Sequence, residues 1–151
     1  MLEAWVRRLV RRSPEAGDRR AARRGFEEML ERMARDAVQG GIPVTALVIS
    51  FADAAFRPDI TQARVARLRE HLRGGDLVGR LGEGDVGVLM HDTIAAQADA
   101  PLARIRRLLQ REGVPLVQVS IGMASRSPGD PITGALAEEA RQQARYHTSD
   151  Q

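Results

Sequence analysis

The chain contains no lysine, no cysteine and no asparagine, and only five of its residues are aromatic. Without lysine there is no Schiff-base chemistry and no phosphate-binding lysine of a Walker loop. Without cysteine there are no disulfides, thiolate nucleophiles or cysteine-ligated zinc, so an oxidising compartment is not needed. Trp5, Phe26, Phe51, Phe56 and Tyr146 are too few and too scattered to form a base-stacking platform. No run of about 18 apolar residues is present for a membrane span, and arginines interrupt the first apolar stretch too early for a signal peptide. The expected location is the cytoplasm.

What is present is arginine, which supplies all 23 of the basic residues in a chain of 151. That length suits one domain with a sizeable core. The net charge of +3 is unevenly spread, because residues 1–24 hold eight arginines against Glu3, Glu15 and Asp18, and the remainder holds 15 against 17 acids. Leu2, Trp5, Val6 and Leu9 recur at helical spacing with Arg7, Arg8, Arg11 and Arg12 on the other side. This reads as a short basic amphipathic helix that packs on a neighbouring domain or a second subunit, or rests on a membrane surface. The acidic body offers no basic face for nucleic acid. Ser13 to Asp18 is turn-rich, dividing the chain into a tail over residues 1–18 and a body over 19–151.

Within the body, apolar spacing and turn residues predict a helix over 19–39, with Ala22, Phe26, Met29, Leu30, Met33 and Ala37 inward and Gly40-Gly41 as its stop. A buried strand over 45–51 and a helix over 60–72 follow. Strands over 77–81 and 86–90 flank the turn Gly82-Glu83-Gly84-Asp85 as a hairpin. A helix over 93–111 is kinked by Pro101 or begins there. A strand over 114–124, anchored by Leu116, Val119 and Ile121, and a helix from Asp130-Pro131 to about Tyr146 complete the order. The expected architecture is α+β, a mixed sheet of about five strands flanked by helices and related to the ferredoxin-like arrangement.

Four segments in this order carry a resemblance to a known family. The hairpin Arg80-Leu81-Gly82-Glu83-Gly84-Asp85-Val86 resembles the signature turn of diguanylate cyclase, or GGDEF, domains, with GEGDV in place of the five letters. Val119-Ser120-Ile121-Gly122-Met123-Ala124 is similar to the family's V-S-I-G-I-A strand. Ala137-Glu138-Glu139-Ala140 through Ala144-Arg145 is similar to its closing A-D-x-A-L-Y-x-A-K helix, and Arg23-Arg24-Gly25-Phe26 with Leu30 to its R-R-x-F-x-x-x-L helix. Family enzymes join two GTP molecules using Mg²⁺, which requires carboxylate ligands. Here the first-strand aspartates fall on Ser50 and Ala52, and Asp53 is one residue out of register. The acids of the turn fall on Gly84 and Asp85, and the guanine-recognition segment is reduced to residues 53–59. The resemblance therefore implies a domain without catalytic residues or metal, in which Glu83 and Asp85 are solvated turn residues.

The resemblance also implies a second site, for the product cyclic di-GMP, at an R-x-x-D motif five residues before the turn. Arg73-Gly74-Gly75-Asp76 occupies that position, and Arg104 falls where the family commonly adds an arginine. In an arginine-rich chain the pattern alone means little; its place is informative. The chemistry fits independently: an arginine fork matches phosphate or guanine O6 and N7, and aspartate accepts from the guanine N1–H and N2–H edge. Arg73 and Arg104 are expected to bind phosphate and guanine and Asp76 the guanine edge, with no further cofactor, and the ligand to alter association with a protein partner or a second copy. The competing reading is a scaffold with solvated arginines that docks a partner through its N-terminal helix. Surface attachment and exopolysaccharide export are the processes the resemblance implies. His71, His91 and His147 have no acidic partners at metal-ligand spacing and read as surface histidines.

Overall fold

The computed structural model describes residues 16–52, 58–81, 84–115, 118–130 and 134–149, with side chains described between residues 25 and 144 except at 58 and 59. Helix α1 (Ala16–Gln39) leads to β1 (Val44–Phe51), α2 (Pro58–Glu70), the hairpin β2 (Leu77–Arg80) and β3 (Asp85–His91), then a 3₁₀ turn (Ala95–Gln97), α3 (Asp99–Arg111), β4 (Val119–Arg126) and α4 (Leu136–Ser149). The predicted order of elements holds. Residues 16–18, assigned to a linker from their turn-forming composition, are the first residues of α1. The predicted tail helix lies outside the described residues.

Four strands are described, in the order β2-β3-β1-β4, against about five predicted. Every pairing is antiparallel, where a mixed sheet was predicted from the strand–helix–strand connections. The reason is that both connections are split: β3 lies between β1 and β2, and β1 lies between β3 and β4, so the strands that run parallel never touch. β1 occupies the centre, and its alternating side chains serve both faces. Val44, Ala46 and Val48 join Phe26, Met29, Leu30 and Leu136 in a core under α1 and α4. Leu47, Ile49 and Phe51 join Val65, Leu68, Ile105 and Leu108 in a second core under α2 and α3.

Glycines in the left-handed region close two of the helices. Gly41 (φ 86°) and Gly113 (φ 78°) each place the amide of the following apolar residue on the helix, Ile42 N–H on Ala37 O at 2.8 Å and Val114 N–H on Leu109 O at 2.9 Å. This second closure corrects the strand predicted over 114–124. Val114 is buried against the end of the helix, Gln118 N–H turns back to Pro115 O, and pairing begins at Val119. The helix predicted from Asp130 starts at Leu136 instead, because the Asp130 carboxylate accepts from Ser127 N–H at 2.7 Å. Its first turn is held by Glu31 of α1, whose two oxygens accept from Leu136 N–H and Ala137 N–H, both at 3.0 Å. Pro101 lies in the first turn of α3, where a missing N–H costs nothing. Residues 93 and 94 stay outside that helix.

Candidate functional site

Beyond the end of α2, Asp76 N–H donates to Arg73 O at 3.0 Å, so Arg73-Gly74-Gly75-Asp76 is a hydrogen-bonded turn. The turn brings its first and last side chains together, with Arg73 Nε 3.6 Å from Asp76 Oδ2. The two differ in exposure, at 58% for the Arg73 side chain and 5% for that of Asp76. Asp76 Oδ1 also accepts from His91 N–H at 3.2 Å, at the end of β3. Asp76 therefore pairs with the arginine and fastens the turn to the sheet. Arg73 Nη2 donates to His91 O at 2.9 Å and to Thr93 Oγ1 at 2.8 Å. Neither partner carries a motif that marks it in the sequence.

Arg104 lines a groove of about 770 Å³ between α2 and α3, together with Glu70, His71, Arg107, Gln110 and Arg111. The groove reaches His71, two residues before Arg73. Arg67 ties the two helices: its Nε donates to Glu112 Oε1 at 2.7 Å, and its Nη1 lies 3.2 Å from Glu70 Oε2. The hydrogen bond and charge of Glu112, followed by the charge of Glu70, raise the pKa of Arg67. Neighbouring Arg69 is half-buried beside β2, donating to Val78 O, and burial lowers its pKa. With Glu70 and Glu112 held by Arg67, the groove presents mainly guanidinium groups, suited to an anion. Arg107 and Arg111 were missed from the sequence. Their spacing from Arg104 along α3 was the available signal.

At the other end of β1, Ser50 lies opposite Asp85 on β3, and Phe51 N–H donates to Gly84 O at 3.1 Å. Asp85, expected from its place in the hairpin to be a solvated turn residue, is instead the first residue of β3 and is mostly covered. Arg141 of α4 reaches over the turn, with Nε 3.3 Å from Asp85 Oδ2, Nη1 2.6 Å from Glu138 Oε2 and Nη2 3.2 Å from Leu81 O. The Asp85 and Arg141 side chains are 21% and 16% exposed. Among the described residues, the carboxylates at this place, Asp85 and Glu138, share one guanidinium, and the strand position opposite Asp85 holds a serine. This set does not suit a divalent cation. Among the described residues no three His, Asp or Glu side chains form a metal-binding group. Gly82, Glu83 and Asp53 lie outside the described residues. Among the described residues, no helix is long and apolar enough to cross a membrane.

No family model and no curated protein matches the chain. Solved structures do. The GGDEF domain of FimX from Pseudomonas aeruginosa aligns at 17% identity and a TM-score of 0.63, over 85% of this chain and 89% of that one. The GGDEF domain of DgcB from Caulobacter crescentus, determined in complex with c-di-GMP, aligns at 17% identity and 0.62, over 85% of each chain. The diguanylate cyclase SiaD from Pseudomonas aeruginosa, in complex with its activator SiaC, aligns at 17% identity and 0.61, over 82% of this chain and 55% of that one. With its central β1, split connections and helices on both faces, the chain has the α+β fold of the GGDEF domains.

Proposed function

We propose that this domain is a catalytically inactive receptor for cyclic di-GMP, binding through Arg73 and Arg104 and signalling by altered association with a protein partner or a second copy. The observation that carries the reading is the Arg73–Asp76 turn: an arginine with most of its side chain in solvent is paired with a nearly buried carboxylate, two residues along the chain from His71 of the arginine-lined groove. Arg73 and Arg104 supply the planar forks for phosphate and the guanine O6/N7 edge. Asp76 holds Arg73 in place, with Oδ2 toward the guanidinium. The ligand reported with DgcB and the protein partner reported with SiaD support both halves of the reading. The Asp85–Arg141 pair and Ser50 support the absence of GTP condensation.

Calorimetric titration with cyclic di-GMP tests the reading. Binding is expected in the wild type and lost in Arg73→Ala. Asp76→Ala is expected to weaken it at least tenfold, about the worth of one charge-assisted hydrogen bond. No heat at high micromolar ligand would favour the scaffold reading. Incubation with GTP and Mg²⁺ is expected to yield no cyclic di-GMP.

A further inference from the structure

The arginine assigned to the ligand is already engaged. Arg73 Nη2 donates to His91 O and Thr93 Oγ1, which stand on either side of Asp92, a residue at a left-handed φ of 54°. Thr93 is buried and tied to the sheet on its other side: its N–H donates to Pro43 O at 3.2 Å, and its carbonyl accepts from Thr45 Oγ1 at 2.8 Å. Thr45 Oγ1 in turn shares a hydrogen bond of 2.8 Å with Ser125 Oγ on β4. Residues 91–94 thus form a strap from β3 toward α3, anchored inside by Thr45 and Pro43 and outside by Arg73 and by Asp76, which accepts from His91 N–H; within the strap the Thr93 hydroxyl donates to His91 O at 3.1 Å. The strap ends on Ile94, the large apolar side chain most open to solvent among the described residues, at 41%.

A guanidinium offers parallel N–H pairs along two edges, Nε with Nη2 and Nη1 with Nη2. Both edges include Nη2. Nη2 carries one N–H on each edge, so any two-pronged contact between Arg73 and a phosphate or guanine must take one of the two N–H groups of the nitrogen that now serves His91 O and Thr93 Oγ1.

We infer that a ligand on Arg73 and the 91–94 strap compete for the N–H groups of Nη2, with the Thr93 hydroxyl and the His91 carbonyl as the competing acceptors. Binding exchanges a strap acceptor of Nη2 for one of the ligand's and loosens the outer side of the strap, which Asp76 still holds at His91 N–H. A backbone shaped by Asp92 then relaxes beside Ile94 and the start of α3. The ligand half of this inference rests on the proposed receptor function, whereas the hold of Arg73 on the strap does not.

Titration and amide hydrogen exchange test both halves. Thr93→Val removes the competing hydroxyl and is expected to tighten cyclic di-GMP roughly tenfold, the equivalent of one hydrogen bond to a charged donor; Thr93→Ser restores the wild-type value, and Thr93→Ala repeats the valine result should valine disturb packing. In ligand-free protein, Arg73→Ala is expected to speed amide exchange over residues 91–94. Cyclic di-GMP and pyrophosphate, added separately to the wild type, are expected to do the same. Weaker or unchanged binding in both Thr93→Val and Thr93→Ala overturns the inference, as does unchanged exchange in Arg73→Ala. If pyrophosphate frees the strap and cyclic di-GMP does not bind, the receptor reading falls and the strap mechanism stands. If neither anion changes exchange, the strap mechanism falls.

Discussion

Gly122 of β4 faces the backbone of α4 with nothing between them. A Cβ built there would lie 1.8 Å from Ala140 O and 2.4 Å from Ala144 N, and neither backbone atom can move aside as a side chain would. Gly122→Ala is therefore expected to lower stability by about 3 kcal/mol or more, read as a shift in the urea midpoint. Gly79 is tight for a different reason, because its missing Cβ leaves room for the Phe26 ring, 2.5 Å from where that carbon would be. The sequence showed Gly122 inside a strand pattern and Ala137, Ala140 and Ala144 at helical spacing. It did not show that these small residues meet, since that depends on how α4 crosses the sheet. Arg73 and Asp76 were legible as a pair through their spacing, whereas the burial that separates their roles comes from β3 closing over the carboxylate. Arg141 was not legible as the partner of Asp85, because 56 residues separate them.

Among the elements, the helices were read correctly in kind and less well at their ends. Gly40-Gly41 stops α1 where predicted, because a left-handed residue is a local requirement that sequence displays. The start of α4 was misplaced because its cap is not local. Asp130 has the chemistry of an N-cap but folds back on Ser127, and the capping acceptor comes from Glu31, more than a hundred residues earlier. Glu31→Ala removes both acceptors from the first turn of α4 and is expected to cost about 1–2 kcal/mol. Circular dichroism during urea unfolding measures that loss, and amide exchange at Leu136 and Ala137 locates it.

At the scale of the molecule, the two cores share the central strand. β1 sends Val48 to one face and Ile49 to the other, so neither layer of helices keeps a sheet of its own. Leu30→Ala, under α1, and Leu68→Ala, under α2, are each expected to cost about 3 kcal/mol. Both are expected to move a single unfolding transition seen alike by circular dichroism and by amide exchange in the two cores, rather than to melt their own side first. The order of elements could be read from the chain because each is encoded in local apolar spacing. The antiparallel pairing could not, because strand–helix–strand order alone does not say whether a third strand slips between the two it connects.

The contact at Gly122 also constrains how a message could travel through this domain. A helix seated backbone to backbone on a strand has no side-chain cushion to compress and no alternative rotamers to exchange. The α4 layer is accordingly the stationary frame against which displacement is measured. Movement is left to the opposite face, where α2 and α3 are joined through the Arg67 bridge and where the strap meets Arg73.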